Sequence, residues 1–219
     1  MPDGESSHGK TQLQLSEGIS SPASTTAFPR IILDFSEASL ANRIIRNEDF
    51  SRAYLEQSNL VNVTFVECNF ESAVFVRSQI TGCLFQNCNL TRSNLGGCHI
   101  NTSQFKQCNM EETVLSSATI KDSEFLECRF LQNLVKNLTL TDSTIRHASF
   151  IGAIVEESVF RKVDIEETKL ERVIFKKVDW AETKLKDSQI TRCMWLDSRL
   201  TKLRIYNCEG EKVLFNTDT

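Results

Sequence analysis

The sequence predicts an all-β chain wound from five-residue units, each a short extended edge followed by a corner. Three observations carry that reading. Every fifth residue from Phe35 to Ile205 is apolar, 35 consecutive positions in a chain that is 40% hydrophobic. Chance would produce such a run with a probability on the order of 10⁻¹⁴. Two residues before each of these lies a column dominated by small side chains, as in Ala53, Ser58, Val63, Cys68, Ala73 and Ser78. The three prolines are Pro2, Pro22 and Pro29, so nothing after Pro29 breaks the pattern.

The residue between the two columns is often Asn or Asp, as in Asn59, Asn69, Asn89, Asn94, Asn109, Asp164 and Asp179. Two inward residues flanking one outward residue is the side-chain alternation of a short strand, and the remaining two residues make the turn. A helix is excluded, because apolar residues five apart would advance by about 140° and wrap every face.

Small, Asn or Asp, large apolar, then two mostly polar positions resembles the unit of the pentapeptide-repeat proteins, over roughly residues 31–208. The resemblance implies a right-handed quadrilateral β-solenoid, with four five-residue edges and therefore 20 residues per coil. At about 4.8 Å per coil the chain would form a rod of about nine coils, on the order of 40 Å long. Arg43, Glu48, Asn133, Leu138 and Leu203 depart from the family by occupying the small inward column. Residues 41–48 are accordingly expected to form a distorted first coil or an edge cap. Corner glycine is scarce, with Gly82, Gly97 and Gly152 the clear cases.

In chain order, residues 1–29 are rich in Ser, Thr, Gly and Pro and read as a disordered tail. Their Ser- and Thr-rich start resembles the export signal of bacterial type III effectors. Residues 30–219 read as the solenoid, with Glu209–Thr219 either covering the last coil or leading into something longer. A helical cap of the kind the gyrase-protecting family members use to dimerise is not evident.

The 25 basic and 29 acidic residues leave a net charge of −4, which disfavours a conventional nucleic-acid binder. No apolar run of about 18 residues is present, so no membrane span is expected. All eight cysteines, residues 68, 83, 88, 98, 108, 128, 193 and 208, fall in the inward column and read as reduced packing thiols of a cytoplasmic protein, possible export into a host cell aside. Cys98 and His99 point to opposite sides and cannot chelate together, so no metal or cofactor is expected. His99 and His147 lie on outward positions without a matched nucleophile, and Glu156-Glu157 and Glu166-Glu167 lie on opposite sides of the rod. No enzyme is expected.

One surface feature survives. Folding the chain at 20 residues aligns Tyr54, Val74, Asn94, Val114, Leu134, Ile154, Ile174 and Met194 in one outward column, with Leu131 and Ile151 widening it from the preceding corner. So long an apolar stripe should be covered: by the N-terminal segment, by a second copy in a homodimer, or by a protein partner. The function expected is a non-catalytic interaction module, with a secreted effector as one setting. The alternative is a DNA mimic that protects or inhibits gyrase, which the Cys-containing units Glu67–Phe70 and Asn87–Leu90 resemble, and which the lysines late in the rod and the weak net charge oppose.

Overall fold

The computed structural model describes residues 33–216, which form one four-sided solenoid. The stretch 1–29 expected to be disordered lies outside the described residues. Parallel ladders pair each residue with the one 20 positions on, as in Ser39↔Asn59, Leu40↔Leu60 and Ala41↔Val61. Each face is named here for its inward residue on the second or third coil. The Leu60 and Phe65 faces carry nine strands each, and the Phe70 and Phe75 faces carry five strands each. On the latter two the strands begin at Arg129–Leu131 and Leu134–Lys136, and earlier coils pair there through single-residue bridges such as Asp49↔Asn69 and Tyr54↔Val74.

Every strand is three residues long with its central residue inward, because the chain must turn again after five residues. The second corner residue has positive φ at each repeat from Glu37 to Lys212, and nearly all are not glycine. That conformation costs an L residue roughly 1–2 kcal/mol. It is held by the stack, since each such N–H from Glu37 to Asp197 donates to the next coil, as Gln57 does to Val76 O at 2.9 Å and Glu67 to Gln86 O at 2.9 Å. This is why the repeat needs so few corner glycines.

The core is a continuous column of inward side chains. Phe65, Phe85, Phe105 and Phe125 stack at centroid spacings of 5.0, 4.8 and 5.0 Å, close to the coil spacing. Beyond Phe125 the same column continues as Ile145, Ile165 and Leu185, and Trp180 and Trp195 fill the interior of the late coils. A cavity of about 50 Å³ lies where the phenylalanine stack gives way, bordered by Phe125, Val135 and Ile145.

Residues 41–48 correct the expectation of a distorted coil or cap. Ser39–Ala41 and Ile44–Arg46 are regular ladder strands, and the carbonyls of Arg43 and Glu48 accept the N–H groups of Thr64 and Asn69 at 2.8 and 2.9 Å. The charged side chains are tolerated because the end coil leaves them exposed. Glu209–Glu211 and Leu214–Asn216 likewise continue the ladders rather than folding over them.

Candidate interaction face

The Phe75 face gathers the apolar stripe. Its outward column is linked by bridges Tyr54↔Val74, Val74↔Asn94 and Asn94↔Val114, then by strand pairs Leu134↔Ile154, Ile154↔Ile174 and Ile174↔Met194. Leu131 and Ile151 pair at the neighbouring corner and are half-buried. The nine apolar residues expected of the stripe therefore lie on this face and its leading corner, interrupted at Asn94 and between Val114 and Leu134. Leu134 is 66% exposed, Tyr54 41% and Val114 38%. Val74, Ile154, Ile174 and Met194 are half-buried by their neighbours along the ladder.

The structure adds Leu214, paired with Met194 and 49% exposed, and Leu196, paired with Lys176. Leu214 was readable as the next member at 20 residues, but Gly210 breaks the apolar register just before it. Val76 widens the stripe near its start. Leu196 and Val76 occupy the first corner position, which the five-residue pattern assigns to polar residues. Asn94 is the polar member, and its Oδ1 accepts the Gly96 N–H at 2.9 Å, turning its polarity back onto the chain.

The stripe has a seam. Between Val114 and Leu134 the Thr113 carbonyl accepts the Asn133 side-chain amide at 2.9 Å, and the same amide reaches Met110 O at 2.9 Å. Elsewhere on this face that carbonyl position accepts the outward residue's N–H, as Ser93 O does from Val114 at 2.9 Å. Leu134, just after the seam, is the most exposed residue of the row.

The remaining chemical candidates are dispersed. Cys98 is buried while His99 is exposed on its strand, so the pair diverges. His147 faces Glu167 across one coil at 3.3 Å. Glu156 and Glu157 lie on the Phe75 face and its corner, and Glu166 and Glu167 on the Phe65 face opposite. Among the described residues no three His, Cys, Asp or Glu side chains converge on a common point. A shallow groove of about 500 Å³ on the Phe70 face is lined by Asn89, Thr91, Asn109 and Glu111, but the Thr91 and Glu111 N–H groups already donate to Asn89 and Asn109. Arg92 pairs with Glu71 at its rim.

The thiols are poorly suited to nucleophilic chemistry. Contact with the Cys108 thiol and burial push Cys88 up to about 12. Contact with Cys128 and burial do the same for Cys108, and burial alone raises Cys98 to about 12. Cys68 and Cys83 are also raised, the first chiefly by its Cys88 neighbour and the second by burial. At neutral pH these groups hold their protons and act as hydrogen-bond donors to carbonyls, as Cys98 does to Phe75 O at 2.8 Å.

The family description "Pentapeptide repeats (8 copies)" matches residues 34–71 and 49–87, and "Pentapeptide repeat region" matches residues 78–160, which together span more than half of the chain. The chain belongs to the pentapeptide-repeat family. Among curated proteins, none is significantly similar to it. Solved pentapeptide-repeat structures that it resembles include HetL of Nostoc sp. strain PCC 7120, a protein involved in heterocyst differentiation regulation. That match has 14% identity over 81% of this chain and 86% of the other, with a TM-score of 0.33. QnrB1, a plasmid-mediated fluoroquinolone resistance protein, matches at 18% identity over 82% and 92%, with a TM-score of 0.40. Rfr23 of the cyanobacterium Cyanothece 51142 matches at 10% identity over 53% and 90%, with a TM-score of 0.39.

Proposed function

We propose that this pentapeptide-repeat protein is a non-catalytic interaction module that docks protein through its Phe75 face. The observation that carries the reading is the row from Tyr54 to Leu214, in which aliphatic or aromatic side chains occupy every outward position but Asn94 along the length of the rod. A row of this length in water favours association, because burying it removes apolar surface at about 25 cal/mol per Å². The rod is suited to the role since the stack fixes the row's spacing in advance.

The pattern of charge supports this reading over a mimic of DNA. Acidic groups of the late coils are matched by bases one coil away: Asp164 by Lys184 at 3.0 Å, Glu166 by Arg146 at 3.5 Å and Glu157 by Lys136 at 3.2 Å. Duplex phosphates present one unbroken sign, whereas these columns alternate. Ile154→Asp in the full chain is the test. It is expected to weaken capture of protein partners or self-association while leaving the fold intact. Unchanged capture together with unchanged association would overturn the proposal, and inhibition of gyrase supercoiling by the purified chain would replace it with the mimic.

A further inference from the structure

The charges that flank the apolar row discriminate between occupants of the Phe75 face. Beside Leu134, Ile154, Ile174 and Met194 runs the ladder column Lys136, Glu156, Lys176 and Leu196. At the corner beyond it stand Asn137, Glu157, Lys177 and Asp197. Glu157 pairs with Lys136, whereas Lys176 and Lys177, both exposed, form no ion pair with any described residue. A partner that covers this face must therefore answer two unpaired cations, beside Glu156 and a Glu157 already shared with Lys136, on the same side of an aliphatic row.

The face itself meets that requirement. Laid antiparallel on a copy of itself about a two-fold axis perpendicular to the rod, each column meets the same column reversed. The position of the axis decides the match. Placed on the coil of Ile154, it sets Glu156 against Glu156 and Lys136 against Lys176, which is repulsive. Placed between the coils of Ile154 and Ile174, it sets Glu156 against Lys176 and Glu157 against Lys177, each pair occurring twice. The same position puts Ile154 on Ile174, Leu134 on Met194 and Val114 on Leu214. This register also sets Lys136 opposite Leu196, but it answers both Lys176 and Lys177. A parallel arrangement at equal height would instead set Lys136 on Leu131 and Glu156 on Ile151, and would offer Lys176 only Glu171, a carboxylate already held by Lys169 and Arg172.

We infer that the occupant of the Phe75 face is a second copy of this chain, antiparallel, with the dyad between the coils of Ile154 and Ile174. The inference rests on the docking role proposed above and adds the partner and its register. Glu171, which this register brings near Ile151, is held by its own Lys169 and Arg172 at 2.8 and 3.2 Å and takes no part.

The experiment is a charge-reversal pair in the full chain, read by sedimentation equilibrium. One chain carries Lys176→Glu and Lys177→Glu, the other Glu156→Lys and Glu157→Lys. Wild type is expected to be a dimer, and each reversed chain to dimerise about 100-fold more weakly, since like charges would then face each other across the dyad. An equimolar mixture of the two is expected to recover the wild-type affinity as a heterodimer. Circular dichroism on each chain separates loss of association from loss of fold. A monomeric wild-type chain at about 100 μM overturns the self-pairing but leaves the docking role standing if Ile154→Asp still abolishes capture of another protein. A dimer indifferent to both reversals, or a mixture that stays monomeric, overturns this face and register.

Discussion

Residues 34–128 and 129–216 obey the same five-residue rule but close their corners differently on two of the four faces. On the Phe70 and Phe75 faces of the early coils the corner is a hydrogen-bonded turn, as in Ala53 N–H to Phe50 O at 3.0 Å and Ala73 N–H to Phe70 O at 3.0 Å. Positive φ at the third turn residue, Arg52 or Ser72 here, is the type II signature. Asp49, Asn69, Asn89, Asn94 and Asn109 reinforce these turns by accepting the N–H two residues on, at 2.9–3.2 Å. In the late coils the equivalent positions are Arg129, Leu134, Ser149, Ile154 and Lys169, none of whose side chains accepts that N–H, and the chain forms strands on all four faces.

Open corners have their own chemistry. There the inward Ser, Thr or Cys side chain donates to the carbonyl two residues back, as Ser143 does to Thr141 O at 2.7 Å and Cys88 to Gln86 O at 3.4 Å. Inward hydroxyls also receive an N–H from the coil before, as Ser158 does from Leu138 at 3.0 Å and Ser198 from Val178 at 3.1 Å. Closed corners can do without it, and Ala38, Ala53, Ala73 and Ala118 serve there, although Ser78 at a closed corner still accepts the Ser58 N–H at 3.2 Å. Seven of the cysteines follow open corners, and Cys98 is the one that follows a closed turn. The comparison shows that the inward column is chosen for hydrogen bonding as well as for size.

The largest break expected is in the early core. Phe85→Ala removes the middle of the phenylalanine stack and should cost about 3–5 kcal/mol, whereas Ile165→Val in the late continuation of that column should cost about 0.5–1.5 kcal/mol. Both tryptophans are in the late coils, so their fluorescence reports that half while amide exchange reports the early one. Equal losses for the two variants would contradict the larger share of core packing assigned here to the aromatic stack of the early coils.

Asn133→Ala comes next. It leaves the Thr113 carbonyl without its donor and takes one of two donors from the Met110 carbonyl, which keeps the Thr113 N–H, and should cost about 1–3 kcal/mol, with amide exchange quickening first between Val114 and Leu134. Exchange that rises equally along the rod would argue that the seam is not a boundary. Asn89→Ala should cost about 0.5–1.5 kcal/mol by removing a turn acceptor. Lys169→Ala, at the matching position of an open corner, should stay within about 0.5 kcal/mol by urea denaturation.

The smallest effect at neutral pH is that of the thiols. The pKa values of Cys88 and Cys108 are raised in the fold, so below about pH 9 both states are protonated and nothing changes. Above it the unfolded chain ionises while Cys88 and Cys108 hold their protons to about 12, so stability falls as pH rises through that window. The slope is on the order of 1 kcal/mol per pH unit for each thiol. Urea midpoints at pH 7.5 and 10.5 should converge when Cys88→Ala is combined with Cys108→Ala, and an unchanged drop would assign the alkaline effect elsewhere.

Much of this was legible in the residues. The period of five follows from local strand geometry, since two inward side chains must flank one outward one before the chain turns. That alone placed Phe85, Cys88 and Ser103 inside, and with 20 residues per coil it aligned Tyr54 through Met194 on one face. Asn133 and Leu138 stood out as departures from the small column, yet their meaning was hidden. They mark the first open corners on the Phe70 and Phe75 faces, and what makes them so is contact with residues 20 or 23 positions away. The sequence by itself determined the repeat, the inward columns and the membership of each face, because those depend on neighbours within one unit. Closed or open corners, the seam at Thr113, and the charges left facing outward beside Ile174 were decided by stacking, because each depends on hydrogen bonds and ion pairs that exist only when one coil lies on another.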